Sequence, residues 1–192
     1  GGGGGGGAAP AYGADVLRLW VAGSDFTRDV LVGGTVLSKT SDAMRKLRNT
    51  CRYLLGNLGD FDPARHAVAP RDLPPLERYM LHKLAGFSGG VQESYDQFRY
   101  SLVVADTMAL TANEISAFYA ESAKDILYCD PVASPRRRAA QTALWHSLQA
   151  LLYAVAPVAP HTAEDVYRHL PPPCRAALAP PGGGDAPPSV FQ

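Results

Sequence analysis

Three arginines and an asparagine cluster on one stretch of the chain, where their spacing suits contact with a polyanion. At 100° per residue, Arg45, Arg48, Asn49 and Arg52 fall on one side of a helix, beside its apolar face. Guanidinium and amide groups in this arrangement suit the phosphate and ribose groups of a nucleic acid. Lys46 lies farther round the helix and is a lesser candidate for the same contacts.

An ordinary solvated helix face is the alternative interpretation of this cluster. Two features argue against it. Only Asp42 offers a carboxylate three residues before an arginine, Arg45, so the alternating charges typical of an exposed face are missing. Asn49 is a poor helix former but a good partner for phosphate and ribose oxygens. These residues alone leave both interpretations open.

A second basic cluster, formed by Arg136, Arg137 and Arg138, lies in the first turn of another predicted helix. Cations at this position oppose the helix dipole, so local helix stability does not explain them. They either pair with carboxylates of the preceding helix, such as Glu121 or Asp125, or bind an external anion. We treat the three arginines as lesser candidates for contact with a polyanion.

Patterns for catalysis or metal binding are missing from the sequence. Cys51, Cys129 and Cys174 are widely spaced and fit neither a disulfide framework nor a zinc site. The five histidines do not form a ligand cluster by spacing. There is no nucleophile elbow, Walker loop or dinucleotide fingerprint. We therefore predict no catalytic residue, metal or cofactor within this chain.

Composition limits how a polyanion could be bound. Eighteen basic residues balance eighteen acidic ones, so binding would depend on a local patch rather than on net charge. Hydrophobic residues make up 46% of the chain and charged residues 19%, which permits a packed core. No stretch reaches the roughly 20 apolar residues of a membrane span, and no signal-peptide pattern is present. We expect a soluble intracellular protein.

The elements that carry the candidate residues are predicted to be helices. Apolar residues at steps of three and four predict long helices over residues 35–58, 76–98, 104–126 and 135–157. Shorter helices are predicted within Tyr12–Phe26 and over the segment that starts at Thr162, its N-cap, and stops at Pro171. The segment Val30–Val32 is either a short strand or an extended linker. Gly86, Gly89 and Gly90 should bend or fray the second long helix. Helices about 30 Å long with short connections predict an all-α, up-down bundle.

Both ends of the chain are expected to be disordered. Residues 1–11 begin with a run of glycines, and residues 171–192 are rich in proline, glycine and alanine. Neither segment should fold by itself. Ordered structure is therefore predicted from about Tyr12 to about Leu170.

Five segments, in order, resemble isoleucyl-tRNA synthetases of the bacterial or organellar type. The most specific is MRKLRNTCRYLLGNLGDFDP (Met44–Pro63), and the others are YGADVLRLWVAGSDF (Tyr12–Phe26), ISAFYAESAKDILY (Ile115–Tyr128), SPRRRAAQTALW (Ser134–Trp145) and VAPVAPHTAEDVYRHLP (Val155–Pro171). Ser189-Val190-Phe191 resembles the usual sequel. The similarity covers nearly all of the predicted ordered region.

This resemblance implies a division of the chain. Residues 12–34 would be the tail of a catalytic domain, in the form of a short α/β linking segment. Residues 35–170 would be the anticodon-binding helical bundle, and residues 171–192 the start of a truncated C-terminal region. The family's His-Ile-Gly-His motif, editing domain, Lys-Met-Ser-Lys-Ser loop and zinc-binding region are absent from this sequence. The resemblance thus implies a fragment that is inactive alone.

The family activates isoleucine with ATP and Mg²⁺ and transfers it to its tRNA. The implied partner of this chain is the isoleucine-accepting tRNA, with isoleucine and ATP bound through the missing catalytic domain. A monomer in the cytoplasm, or in a mitochondrial or plastid matrix, is expected. A helical scaffold for protein interaction, without an RNA role, is the alternative function.

Overall fold

The computed structural model describes residues 11–27, 29–30 and 33–178, and in this part of the chain all regular structure is helical. The α-helices are α1 (Ala14–Gly23), α2 (Gly34–Gly56), α3 (Pro63–His66), α4 (Pro75–Asp96), α5 (Tyr100–Ala109), α6 (Ala120–Cys129), α7 (Pro135–Val155), α8 (Pro160–Arg168) and α9 (Pro172–Leu178). A 3₁₀ turn spans Pro70–Asp72, and a π-helical segment, Leu110–Tyr119, joins α5 to α6. The all-α prediction is confirmed. Val30 is not in a strand, while Leu31 and Val32 lie outside the described residues.

The helices alternate in direction around α7. Tyr95, near the end of α4, donates a hydrogen bond to the carbonyl of Ala154, near the end of α7, at 2.7 Å. The Tyr119 hydroxyl lies 3.2 Å from Glu77 Oε1 and 3.3 Å from the Ala140 carbonyl, near the starts of the same two helices. Helices α4 and α7 therefore run in the same direction, with the run from α5 to α6 opposed to both. This arrangement confirms the up-down bundle.

Helix α7 is buried over most of its surface, with His146 and Tyr153 among its few exposed residues, which its predicted single apolar face does not require. Small and polar residues share its interior with leucines, and their polar groups are paired within the helix or with loops. The hydroxyl of Ser147 donates to the Ala143 carbonyl at 2.8 Å. That of Thr142 donates to the Arg138 carbonyl at 2.8 Å and accepts from the backbone N–H of Val68 at 3.1 Å. Burial is tolerated because these groups are hydrogen-bonded.

The third long helix agrees with the predicted inward face over only part of its length. Ile115, Tyr119 and Ala123 are buried as predicted, but Val104, Met108, Ala112 and Ile126, predicted on the same face, are only partly buried or exposed. Buried positions recur at every fourth residue, at Val103, Thr107, Thr111, Ile115, Tyr119, Ala123 and Leu127, and Leu110 is buried beside them. A step of four drifts off one face of a helix with 3.6 residues per turn. The wider turns of the π segment correct that drift, and the spacing alone did not reveal it.

The glycines of α4 do not interrupt it, so the predicted fraying is wrong. The helix is continuous from Pro75 to Asp96, through Gly86, Gly89 and Gly90. Packing of its apolar face, which includes Met80 and Leu84, against the core outweighs the low helix propensity of glycine.

Replacing Gly89 by alanine is expected to raise the free energy of unfolding by about 0.5–1 kcal/mol, because alanine loses less chain entropy on helix formation. A Cβ atom at Gly89 would meet no heavy atom within 4 Å. At Gly23, the matched control, it would lie 3.3 Å from Val104 Cγ1, so Gly23→Ala should gain less. Urea unfolding followed by circular dichroism measures both, and an unchanged or lower stability for Gly89→Ala would contradict the prediction.

Two predicted boundaries at the C-terminal end are wrong. Helix α8 begins at Pro160 with Ala159 as N-cap, so Thr162 lies inside the first turn. Order also continues past Leu170, because α9 follows within the segment predicted to be disordered. Cys174 of α9 is fully buried and lies 3.5 Å from the carbonyl oxygen of Phe61, which gives this short helix a place in the core.

Candidate nucleic-acid interface

A cleft of about 740 Å³ runs between α2 and α8. We call it the α2–α8 cleft. The side chains of α2 that line it include the sequence-predicted group, Arg45, Arg48, Asn49 and Arg52. The opposite wall is formed by α8 and the residue after it, through Asp165, Val166 and His169. The structure thus brings four predicted residues together at one concave surface.

The core side of α2 fixes the position of this wall. Met44, Leu47, Cys51 and Leu54 are buried against the bundle. The residues next to them in sequence therefore face outward, and all four side chains of the predicted group are exposed. From Arg45 to Arg52 the helix axis advances about 10 Å, enough for more than one phosphate group.

Two of the cleft arginines have carboxylate partners. Arg45 donates to Asp42 Oδ1 at 2.8 Å, one turn earlier on the same helix. Arg48 lies 3.4 Å from Asp165 Oδ2, across the cleft on α8. All four of these side chains are more than half exposed. Exposed ion pairs of this kind contribute little to stability, so neither holds its arginine tightly.

Arg52 and Asn49 form no side-chain hydrogen bond or ion pair with any described residue, although both line the cleft. Lys46 is also exposed and has no such partner among the described residues, but it does not line the cleft. The cleft therefore contains one positive charge and one amide that are open to a ligand.

The second basic cluster has a different environment, at the end of the bundle where α2 leads into α3. Arg137 binds both carboxylate oxygens of Asp60, with N–O distances of 2.6 and 3.0 Å. Arg138 contacts the Asp60 side chain at 3.0 Å and its backbone carbonyl at 2.9 Å. Gln141 donates to the same carboxylate at 2.9 Å. The predicted partners, Glu121 and Asp125, are not used.

The packing of α7 explains why Arg137 and Arg138 pair with Asp60. The first turn of α7 lies against the loop after α2, which carries Asp60, whereas Glu121 and Asp125 lie on the outer face of α6. The two arginine side chains are only 14% and 13% exposed. Each guanidinium nitrogen of Arg137 donates to a protein group, and so does Nη1 of Arg138. Arg136 is exposed and forms no ion pair with any described residue.

Asp60 is electrostatically perturbed by these contacts. Burial alone would raise the pKa of its carboxyl group, but hydrogen bonds from Arg137 and Gln141 and the charges of Arg137 and Arg138 outweigh burial and lower the pKa to about 2. The carboxylate is therefore ionised at neutral pH and paired on several sides. This cluster stabilises the fold, and it is separate from the α2–α8 cleft.

The position of α8 depends on α1. Asp15 is buried, and its carboxylate accepts hydrogen bonds from the backbone N–H and the hydroxyl of Thr162, both at 2.6 Å, and from the N–H of His161 at 3.4 Å. Asp15 thus caps the first turn of α8 from another helix. Arg18 donates to the carbonyls of Val158 and Pro157 at 2.9 and 2.8 Å. One face of α1 therefore holds the wall that carries Asp165 and His169.

Sequence reasoning missed the α8 wall of the cleft. Asp165 was given no role, and His169 was one of the five histidines whose spacing indicates no ligand cluster. The one signal for this wall was that the segment VAPHTAEDVYRHL and the arginine segment both resemble the same family. Contact between segments more than a hundred residues apart requires the bundle topology.

Other kinds of site are not supported by the described residues. Over residues 11–27, 29–30 and 33–178, no three His, Cys, Asp or Glu side chains come together in a way that could hold a metal ion. Within the same ranges, the helices lack the length and apolar character needed to cross a membrane.

Comparison with known proteins agrees with the resemblance found in the sequence. Residues 77–181 match the family described as the anticodon-binding domain of tRNA ligase. The isoleucine–tRNA ligase of Thermosynechococcus vestitus is 45% identical over 162 residues, which is 84% of this chain and 17% of that protein. The enzyme of Geobacillus kaustophilus is 44% identical over 83% of the chain and 17% of its own length.

A vertebrate organellar protein is similarly related. The mitochondrial isoleucine–tRNA ligase of Gallus gallus is 42% identical over 84% of the chain and 16% of its own length. The chain thus spans about a sixth of the length of the curated relatives it matches. The family match covers more than half of the chain, and it agrees with the helical bundle and the arginine-lined cleft seen in the structure. The chain belongs to the family of anticodon-binding domains of tRNA ligases, and its sequence corresponds to a portion of the isoleucine–tRNA ligases.

Proposed function

We propose that this chain is the tRNA-binding portion of an isoleucine–tRNA ligase, and that the α2–α8 cleft contacts the tRNA backbone. The observation that carries the proposal is the grouping of Arg45, Arg48, Asn49 and Arg52 on one exposed wall of this cleft. Guanidinium groups bind phosphate oxygens in paired, charge-assisted hydrogen bonds. Such contacts position the RNA without reading its sequence.

The remaining predicted residues have smaller roles in this proposal. Lys46 and Arg136 are exposed, and they would add to the attraction of the polyanion from outside the cleft. Arg137 and Arg138 would act indirectly, since both are mostly buried and paired with Asp60. Base recognition would come from unstacked anticodon bases that meet other side chains.

The chemistry of the ligase is proposed to lie in the rest of a longer protein. Such a protein would activate isoleucine with ATP and transfer it to the tRNA. The described residues bring together no set of ligands for Mg²⁺, so we assign no step through a metal to this chain. We further propose a monomer, in the cytosol or in an organelle matrix.

Arg52→Ala is expected to weaken tRNA binding and to flatten its salt dependence by about one charge, and Arg48→Ala to do the same to a smaller extent, because Asp165 already faces Arg48. The measurement is an equilibrium titration with an isoleucine tRNA transcript at several salt concentrations. Arg71→Ala is a matched control, because Arg71 is exposed outside the cleft and its nearest carboxylate is its neighbour Asp72. Unchanged salt slopes in both cleft variants would remove the cleft from the interface.

A protein-interaction bundle without an RNA role is the second candidate function. Apolar side chains exposed around α1, such as Val21 and Phe26, favour it. The same titration distinguishes the two functions, because only the first predicts binding of tRNA at low salt. A folded protein that binds no tRNA at low salt would favour the second.

A further inference from the structure

The carboxylate of Asp165 pairs with Arg48, one of the cleft arginines that the proposed function assigns to RNA binding. Its Oδ2 atom lies 3.4 Å from Arg48, and the two side chains are 54% and 57% exposed. A pair that is this long and this exposed adds little to folding stability. Stability therefore does not account for an acidic residue on the wall facing the arginines.

The backbone that carries Asp165 is held in place. Helix α8 is capped by Asp15 through two hydrogen bonds of 2.6 Å, one turn before Asp165. The carboxylate itself has only weak or long contacts, to Arg48 at 3.4 Å and to His169 Nδ1 at 3.5 Å. The side chain can therefore leave Arg48 while α8 stays where it is.

The arginines of the cleft thus fall into two groups. Arg45 and Arg48 each face an internal carboxylate, whereas Arg52 has no carboxylate partner among the described residues. A phosphate group that binds at Arg48 displaces the Asp165 carboxylate, so the net gain in binding free energy is small. A ligand that also reaches Arg52 and Asn49 makes contacts that the free protein does not satisfy.

We propose that Asp165 is an internal competitor for the phosphate group at Arg48, so that binding in the cleft depends on contacts beyond Arg48. The proposal rests on the proposed RNA-binding function. It assigns Asp165 a role in setting affinity, since the residue lowers the affinity of every anion at Arg48 and leaves the contacts at Arg52 and Asn49 to hold a ligand with several phosphates.

The test compares the full chain with Asp165→Asn and Asp165→Glu, using an isoleucine tRNA transcript and inorganic phosphate as probes. Asp165→Asn should raise tRNA affinity about threefold to tenfold at low salt and steepen the salt slope by about one charge. Inorganic phosphate, titrated by itself, should bind Asp165→Asn more tightly by a similar factor. Asp165→Glu keeps the charge and should stay within about twofold of the unmodified protein.

A double-mutant cycle separates displacement from a general effect of charge. In an Arg48→Ala background, Asp165→Asn should change tRNA affinity less than twofold, because the competitor has lost its target. A gain of the same size in both backgrounds would overturn the proposal. So would tRNA binding by the unmodified protein without any gain in Asp165→Asn. Absence of binding by every folded variant would instead overturn the RNA function together with this proposal.

Discussion

Replacing Asp60 by alanine is expected to lower the free energy of unfolding by about 2 kcal/mol, because charge-assisted hydrogen bonds are lost, while solvent replaces part of them since the carboxylate is itself 36% exposed. Here two guanidinium groups, those of Arg137 and Arg138, lose the carboxylate they share. Gln141 loses one of its acceptors as well. Urea unfolding followed by circular dichroism at pH 7 measures the change.

Asp72→Ala is the matched control for this variant. Asp72 is exposed, and its ion-pair partner is its neighbour Arg71 at 3.5 Å. Its removal should change stability by less than about 0.5 kcal/mol. A loss below about 1 kcal/mol for Asp60→Ala would show that solvent replaces the carboxylate and that the cluster is not a main support of the fold.

The same carboxylate makes stability depend on pH in a defined direction. The pKa of Asp60 in the folded protein, about 2, lies below its ordinary value of 3.8. The folded state therefore favours the ionised form, so the contribution is present above pH 4 and is lost as pH falls toward 2. The stability difference between the unmodified protein and Asp60→Asn should shrink over that range. A difference that stays constant from pH 5 to pH 2 would contradict the assignment.

Replacing Asp15 by alanine is expected to cost about 2 kcal/mol, because buried N–H and hydroxyl donors of α8 lose their acceptor. The donors are the N–H and the hydroxyl of Thr162 and the N–H of His161. Urea unfolding gives the global effect. Hydrogen exchange should also become faster in α8 than in α7.

Asp15→Asn serves as the conservative comparison. An asparagine side chain keeps one acceptor oxygen, so it should retain part of the lost stability and of the protection of α8. If Asp15→Ala unfolds at the same urea concentration as the unmodified protein, and exchange in α8 is unchanged, the contact is not a support of that helix.

The features that could be predicted best from the sequence are those set by local spacing of residues. The apolar and basic sides of α2 are one example, since both follow from the 3.6-residue period of a helix and the core then fixes their direction. The four residues predicted on the basic side do line one cleft. Their binding role remains a prediction.

The features that were missed depend on contacts between distant segments. Asp15, Asp60 and Asp165 appear in the sequence as ordinary acidic residues, and each takes its role from a partner that lies 77 or more residues away. The phase of part of the third long helix was missed for another reason, because its π segment breaks the periodicity on which the prediction depends. The first failure concerns tertiary packing, which a local pattern does not contain, and the second concerns a local change of helical period.

The attachment of α1 has a consequence for how the protein is made. Arg18 and Asp15 bind residues that follow them by 140 and 147 positions. A ribosome adds roughly 5–20 residues per second, so these partners emerge about 7 to 30 seconds after α1. Helix α1 can pack against α2 and α5 before that time, but Asp15 and Arg18 remain without these partners until α8 is released.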